Sequence, residues 1–113
     1  MKTTAQLRER AEAALAALGV DRDAWCVDDA AVRARSPLTG EELCGVRTHT
    51  PAEVSDAVAA ASEAFVAWRE VPAPVRGALV KRLGELIGEH KEDLAALVTI
   101  EAGKIHTEAL GEV

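Results

Sequence analysis

The segment of residues 50–68, TPAEVSDAVAAASEAFVAW, most constrains the fold of this 113-residue chain. Thr50 can cap a helix, Pro51 has the backbone angle of a first helical residue, and Glu53 follows three residues after the cap. Apolar residues then recur at steps of four, three, four and three, which predicts an amphipathic helix. We expect its apolar stripe to belong to a hydrophobic core rather than to a cofactor site; the stripe consists of Val54, Val58, Ala61, Phe65 and Trp68.

A first helix and a β-hairpin are predicted before this segment. Thr3 and Thr4 can cap a helix that Gly19 ends, and its apolar face would contain Leu7, Ala11, Ala14, Leu15 and Leu18. Residues 20–31 lack a clean period, so we predict a loop there with a partly buried Trp25. Alternating residues on both sides of the turn at 37–40 then predict a hairpin within 32–48.

Three further helices are predicted after residue 68. Pro74 can open the first of them, and the pattern breaks at residues 89–91. A second helix would then run to Gly103, a residue type that commonly ends helices. His106 and Thr107 can start a last helix, so the predicted order is helix, hairpin, then three or four helices.

Composition and charge limit the class of protein. Hydrophobic residues make up 49% of the chain and charged residues 28%, which is typical of one globular domain. Only 3% of residues are aromatic, so the apolar area available for a core is modest. The net charge of -6 argues against binding to nucleic acid or an anionic membrane surface. No apolar run approaches the roughly 18 residues of a membrane span, and no signal peptide is evident, so we predict a cytoplasmic protein.

The sequence contains no recognisable catalytic motif. Phosphate-binding and dinucleotide-binding glycine patterns, a serine nucleophile elbow and a zinc-protease helix are all missing. Cys26 and Cys44 lie far apart in sequence, and we interpret both as reduced structural thiols, with a disulfide, a metal site or a small redox protein as alternatives.

The remaining polar residues offer weak candidates. Glu101 and Lys104 could form a surface ion pair on a helix end or belong to a site. We interpret the three isolated histidines as surface or capping residues; they are His49, His90 and His106. We therefore expect no catalytic, cofactor-binding or metal-binding residue in this chain.

Four short pieces within residues 36–113 nevertheless carry a family resemblance. They are PLTGE at 37–41, AFVAW at 64–68, PVRG at 74–77 and EAGK at 101–104. Their order and spacing resemble the amino-terminal part of the aldehyde dehydrogenase superfamily. Within it, LVTIEAGKI followed by EALGEV is most similar to the branch that oxidises α-aminoadipic semialdehyde, in equilibrium with piperideine-6-carboxylate, during lysine breakdown.

This resemblance implies an α/β parent enzyme with a Rossmann-like NAD-binding domain, of which this chain is the mostly helical amino-terminal part with one hairpin. The parent would be a homo-oligomer that oxidises a small-molecule aldehyde to a carboxylic acid with NAD or NADP. Its nucleophilic cysteine, basic glutamate and oxyanion-binding asparagine would all lie in later segments. Cys26 and Cys44 do not match the catalytic motif, so the chain alone is predicted to bind no cofactor and to be inactive.

The resemblance also predicts how the chain is organised. Residues 1–35 would be an amino-terminal helix and lead-in, and residues 36–113 the hairpin and helices of a domain that is incomplete after Val113. Glu112 could then face the substrate in a complete enzyme, although a solvent-exposed helical glutamate is the favoured interpretation. The alternative is a stand-alone helical interaction module that docks on a full-length relative through the face with Phe65 and Trp68. If the last helix and the hairpin normally pack on missing strands, their apolar faces are exposed and the isolated chain should be partly molten or aggregation-prone.

Overall fold

The computed structural model describes residues 2–113, except the side chain of Trp25, and shows helices and one β-hairpin in the predicted order. Two compact units are present: the described residues up to Thr48 together with Ile87–Val113, and His49–Leu86. None of the described helices is both long and apolar enough to cross a membrane. The elements are α1 (Thr4–Ala17), α2 (Arg22–Trp25), β1 (Val32–Arg35), β2 (Glu42–Val46), α3 (Pro51–Trp68), α4 (Ala73–Glu89), α5 (Lys91–Ala102) and α6 (His106–Glu112).

Capping boxes begin the two best-marked helices. The Thr50 hydroxyl accepts from the amide of Glu53 at 3.3 Å, and the Glu53 carboxylate accepts from the amide of Thr50 at 2.7 Å. Thr3 and Gln6 form the same pair of bonds at the start of α1. Each box satisfies amide groups that have no partner within the helix, so the predicted starts of α1 and α3 are confirmed.

The predicted loop over residues 20–31 is wrong in one part. Asp21 accepts a hydrogen bond from the amide of Asp23 and so caps the single turn of α2. Four residues are too few for an apolar period to be visible in the sequence. The predicted partial burial of Trp25 concerns a side chain outside the described part of the structure.

The hairpin is antiparallel, as predicted, and joins β1 to β2 in a register that pairs Val32 with Val46 and Ala34 with Cys44. Cys26 forms an isolated bridge with Val46, so residues that precede β1 lie along β2 as well.

Small side chains form most of the core of the first unit. Helix α5 packs against both α1 and α6. Alanine lets helix backbones approach closely but buries little apolar area, so each contact stabilises the unit only modestly. The buried hydrophobic residues are Leu7, Ala14, Cys26, Ala95, Ala96, Ile100 and Ala109.

The end of α5 meets the hairpin turn at what we call the hairpin–α5 junction, formed by Ser36, Pro37, Ile100 and Gly103. The buried hydroxyl of Ser36 donates to the carbonyl oxygen of Ile100 at 2.6 Å. Gly103 ends α5 with φ +73°, and a Cβ atom there would lie 2.9 Å from Cγ of Pro37. Only glycine suits both the left-handed backbone and this close approach.

In the second unit, α3 and α4 expose their apolar faces. Neither helix has a buried residue among the described ones, and the side chains of Phe65 and Trp68 are 57% and 41% exposed. The prediction that the α3 stripe is core is therefore wrong for this chain. Helical spacing indicates that an apolar stripe packs against other apolar residues. It cannot indicate whether those residues belong to the same chain.

Replacing Gly103 with alanine should destabilise the first unit by about 2–4 kcal/mol, since a Cβ there combines left-handed strain with overpacking. Urea denaturation followed by far-UV circular dichroism measures this change. Gly111→Ala is the matched control, because Gly111 lies within α6 with nothing close to its added Cβ. The control should be neutral or stabilising by about 0.5–1 kcal/mol. Equal stability of the two variants would contradict the junction's role.

Candidate functional site

A largely apolar cavity of about 260 Å³ lies in the first unit between α1, the hairpin and α5. We call it the α1–hairpin–α5 cavity. Helix α1 contributes one wall, β2 a second and the last turns of α5 a third. Its lining residues are Arg8, Ala11, Glu12, Leu15, Ala34, Leu43, Cys44, Val46, Leu97, Ile100 and Glu101.

The structure brings together two cysteines that are distant in sequence. Cys26 is buried and Cys44 is half-buried, and both are free thiols. Burial raises the pKa of the Cys44 thiol, and the charge and hydrogen bond of Cys26 raise it further, while Arg22 and Arg33 oppose the change. No sequence signal indicated this pair, because the bridge between Cys26 and Val46 is a long-range contact outside the hairpin.

An ion-pair cluster lies on the hairpin beside the cavity. The Glu42 carboxylate accepts from Arg33 at 2.5 Å and from Arg35 at 3.2 Å, and Arg8 of α1 donates to the Glu42 carbonyl oxygen at 3.1 Å. The hydrogen bond from Arg33 is the main cause that lowers the pKa of Glu42. Burial opposes this change, and the positive charges of Arg33, Arg35 and Arg8 lower the pKa further. Glu42 thus links α1 to both strands.

Lys104 pairs with Glu112 and not with Glu101 as the sequence suggested. The ammonium group reaches from the loop after α5 to the carboxylate near the end of α6, and this hydrogen bond raises the pKa of Lys104. Glu101 instead lines the α1–hairpin–α5 cavity. Sequence spacing could not find the pair, because its two residues lie on either side of the turn between α5 and α6.

The histidines lie on the surface or at a helix cap. Nε2 of His106 lies 3.0 Å from the Glu92 carboxylate, and Nδ1 of His49 lies 4.0 Å from that of Glu53. His90 is the residue before the first turn of α5. Across residues 2–113, no group of three or more histidine, cysteine and acidic side chains could hold a metal ion.

The described residues do not fit a dinucleotide. Such a site needs a glycine-rich turn between a parallel strand and the amino terminus of a helix. The sheet in this part of the chain is a two-stranded antiparallel hairpin, and β2 is followed by a threonine cap and a proline.

Comparison with known proteins shows which family the chain resembles. The aldehyde dehydrogenase family matches residues 25–113. Over 78 residues the chain is 49% identical to malonate-semialdehyde dehydrogenase 2 of Geobacillus thermodenitrificans, 47% to malonate-semialdehyde dehydrogenase 3 of Geobacillus kaustophilus and 44% to malonate-semialdehyde dehydrogenase of Bacillus subtilis. Each match covers 69% of this chain, and the chain spans only 16% of the length of each relative. These relatives do not support the predicted α-aminoadipic semialdehyde branch or a role in lysine breakdown.

Replacing Glu42 with glutamine should reduce the loss of stability in acid. Because the folded-state pKa of Glu42 is lowered, its carboxylate stabilises the fold above its ordinary pKa, and this contribution is lost as pH falls through the folded-state pKa. Urea midpoints measured from neutral to acidic pH should therefore fall less steeply for Glu42→Gln than for the wild type. The control is Glu41→Gln, a change at the exposed neighbouring position that should keep the wild-type slope. Identical slopes for all three proteins would contradict the assignment.

Proposed function

Because this chain belongs to the aldehyde dehydrogenase family, we propose that it forms the amino-terminal part of an enzyme that oxidises an aldehyde to a carboxylic acid. The family match over residues 25–113 carries this proposal. The chain spans 16% of the length of its relatives, so most of the enzyme's chemistry would belong to other residues.

For the substrate we propose a short semialdehyde of the malonate-semialdehyde class. The relatives that support this share 44–49% identity with the chain, and their names specify that aldehyde. This proposal replaces the expectation of α-aminoadipic semialdehyde. NAD or NADP would accept the hydride in the complete enzyme, and the enzyme would be a cytoplasmic homo-oligomer.

The role proposed for these residues is structural. The described part of the chain offers no fit to a dinucleotide, so we assign no step of hydride transfer to it. Its contribution would be the exposed apolar faces of α3 and α4, against which other residues of the enzyme pack. A shallow groove of that kind lies at the end of α3, and its lining residues are Ala61, Ala64, Phe65, Ala67, Trp68 and Val71.

One observation also favours a second function, that of a helical interaction module. An apolar stripe with two exposed aromatic residues, Phe65 and Trp68, is unusual for a monomeric protein and marks a surface for a partner. Such a module would dock on a full-length relative instead of being part of one.

A chimera tests the first proposal. The matched 78-residue segment replaces its counterpart in the Bacillus subtilis malonate-semialdehyde dehydrogenase. We expect malonate-semialdehyde-dependent NADH formation within about tenfold of the parent rate, because a loss of 1.4 kcal/mol in transition-state stabilisation is tenfold in rate. The isolated chain should form no NADH from the same aldehyde.

Two results would contradict this proposal. One is a folded chimera with the parent's oligomeric state but no activity. The other is aldehyde-dependent NADH formation by the purified chain itself. Far-UV circular dichroism and size-exclusion chromatography separate a folded, inactive chimera from an unfolded one.

The module proposal predicts binding in trans. Titration of the chain into the same intact dehydrogenase, followed by calorimetry, should show binding that Phe65→Ala weakens at least about tenfold, since a buried aromatic anchor often contributes more than 1.4 kcal/mol. The matched control is Glu63→Ala, because helical spacing places Glu63 opposite the stripe on α3. No binding by the wild-type chain, or equal weakening by both variants, would contradict the module.

A further inference from the structure

The backbone between α2 and β1 approaches β2 very closely where the two cysteines lie. The amide of Val27 donates to the carbonyl oxygen of Gly45 at 3.0 Å. A Cβ atom on Gly45 would lie only 2.0 Å from the Val27 carbonyl oxygen, so no other residue type fits there without a shift of the backbone. Gly45 directly follows Cys44, and Val27 directly follows Cys26.

Strand alternation places the two thiols on one face. Cys26 is bridged to Val46, and Cys44 stands two positions before Val46 on β2. Residues two apart on a strand point to the same side, so Cys44 is the diagonal neighbour of Cys26. Cys26 is also among the groups that raise the pKa of Cys44, so the two thiols lie near each other.

Access to the two sulfur atoms differs. Cys26 is only 8% exposed, whereas Cys44 is half-buried and lines the α1–hairpin–α5 cavity. A small neutral reagent in this largely apolar cavity would therefore meet Cys44 first, and Cys26 would lie behind it.

Two guanidinium groups lie near the pair, and each is also paired with carboxylates: Arg22 with Glu12 and Asp28, and Arg33 with Glu42. Cys26 is the largest cause that raises the pKa of Arg22. For Arg33 the hydrogen bond to Glu42 is the largest cause of the raised pKa, and Cys26 is the smallest. Both guanidinium groups are thus close to the thiols. Arg22 and Arg33 favour the Cys44 thiolate, which is the form that attacks a disulfide. Burial outweighs them and keeps the pKa of Cys44 above its ordinary value, so the attack proceeds from a minor thiolate form.

We propose that Cys26 and Cys44 form a reversible redox pair that a small-molecule disulfide oxidises through the α1–hairpin–α5 cavity. The Cys44 thiolate attacks one sulfur of the reagent RSSR, which breaks the S–S bond and releases RS⁻, and RS⁻ takes up the proton that Cys44 lost. The Cys26 thiolate then attacks the Cys44 sulfur and releases the second RS⁻, which is protonated in turn. Two thiols are oxidised to one disulfide, and one RSSR is reduced to two RSH.

This bond would tie the segment after α2 to β2 across the closed loop of residues 26–44. Neither cysteine belongs to the apolar faces of α3 and α4 on which the structural role in a dehydrogenase rests. Failure of one proposal would therefore leave the other untouched.

The test exposes the full chain to bis(2-hydroxyethyl) disulfide, a small neutral probe, and follows it by intact mass and peptide mapping. We expect the native protein to lose two hydrogens and to keep no adduct. Trypsin cleaves after Arg22, Arg33, Arg35 and Arg47, so a disulfide would link peptides 23–33 and 36–47 until a reductant separates them.

Single variants test the order of the steps. In Cys26→Ser the adduct should persist on Cys44, because the resolving thiol is gone. In Cys44→Ser the reaction of Cys26 should be slower than that of Cys44 in Cys26→Ser, on the order of tenfold or more, since access limits exchange. In urea this difference should vanish.

The proposal is overturned if the native wild-type chain keeps a stable mixed disulfide or two free thiols under these conditions. It is also overturned if the linked peptides form only after unfolding. The peptide map of the wild-type chain alone shows whether the native protein forms the Cys26–Cys44 disulfide. The test therefore does not depend on whether either variant folds.

Discussion

The hydrogen bond from the buried Ser36 hydroxyl to the Ile100 carbonyl oxygen holds the hairpin against the last turn of α5. A buried hydroxyl without a hydrogen-bond partner lowers the stability of the fold by about 1–3 kcal/mol. This bond therefore favours the single position of the hairpin on α5 in which the Ser36 hydroxyl is paired. Pro37 then packs against Gly103, where only glycine fits. Two of the four pieces that resemble aldehyde dehydrogenases thus meet at one junction. Both pieces therefore lie where a turn packs on a helix end.

The two units use their apolar residues differently. In the first unit, α5 lies between α1 and α6, and a core rich in alanine brings these helices close together. In the second unit, the larger side chains of α3 and α4 are exposed. Burial of such side chains contributes about 1.5–3 kcal/mol each, so a surface that covered them would add much to the stability of the second unit. In the role proposed here, the rest of a longer enzyme would provide that surface.

Local signals in the sequence predicted most of the fold. Three of these signals each act within a few residues, so the sequence alone could predict the structures they form. They are the capping box of Thr50 and Glu53, the turn at 37–40 and the stop at Gly103. Contacts between residues far apart in sequence could not be predicted in this way. The contact of Cys26 with Cys44 depends on how residue 27 lies on β2, and the cavity depends on three elements at once. Burial of the α3 stripe was predicted wrongly. Amphipathic spacing indicates that an apolar stripe packs against other residues, but it does not indicate whether those residues belong to the same chain. The likeness of the LVTIEAGKI and EALGEV pieces predicted the α-aminoadipic semialdehyde branch, whereas the relatives that share 44–49% identity are malonate-semialdehyde dehydrogenases.

The central claim is that α3 and α4 carry a packing surface which other parts of an aldehyde dehydrogenase cover. Hydrogen exchange of the α3 amides, compared between the isolated chain and the folded chimera, measures this directly. Exposed helices open locally at low free energy, so α3 should exchange quickly in the isolated chain and α1 and α5 more slowly. In the chimera, α3 should become protected by at least about a hundredfold, which corresponds to about 2.7 kcal/mol. Equal protection of α3 in both proteins would contradict the account, because it would mean that no other part of the enzyme packs against this helix.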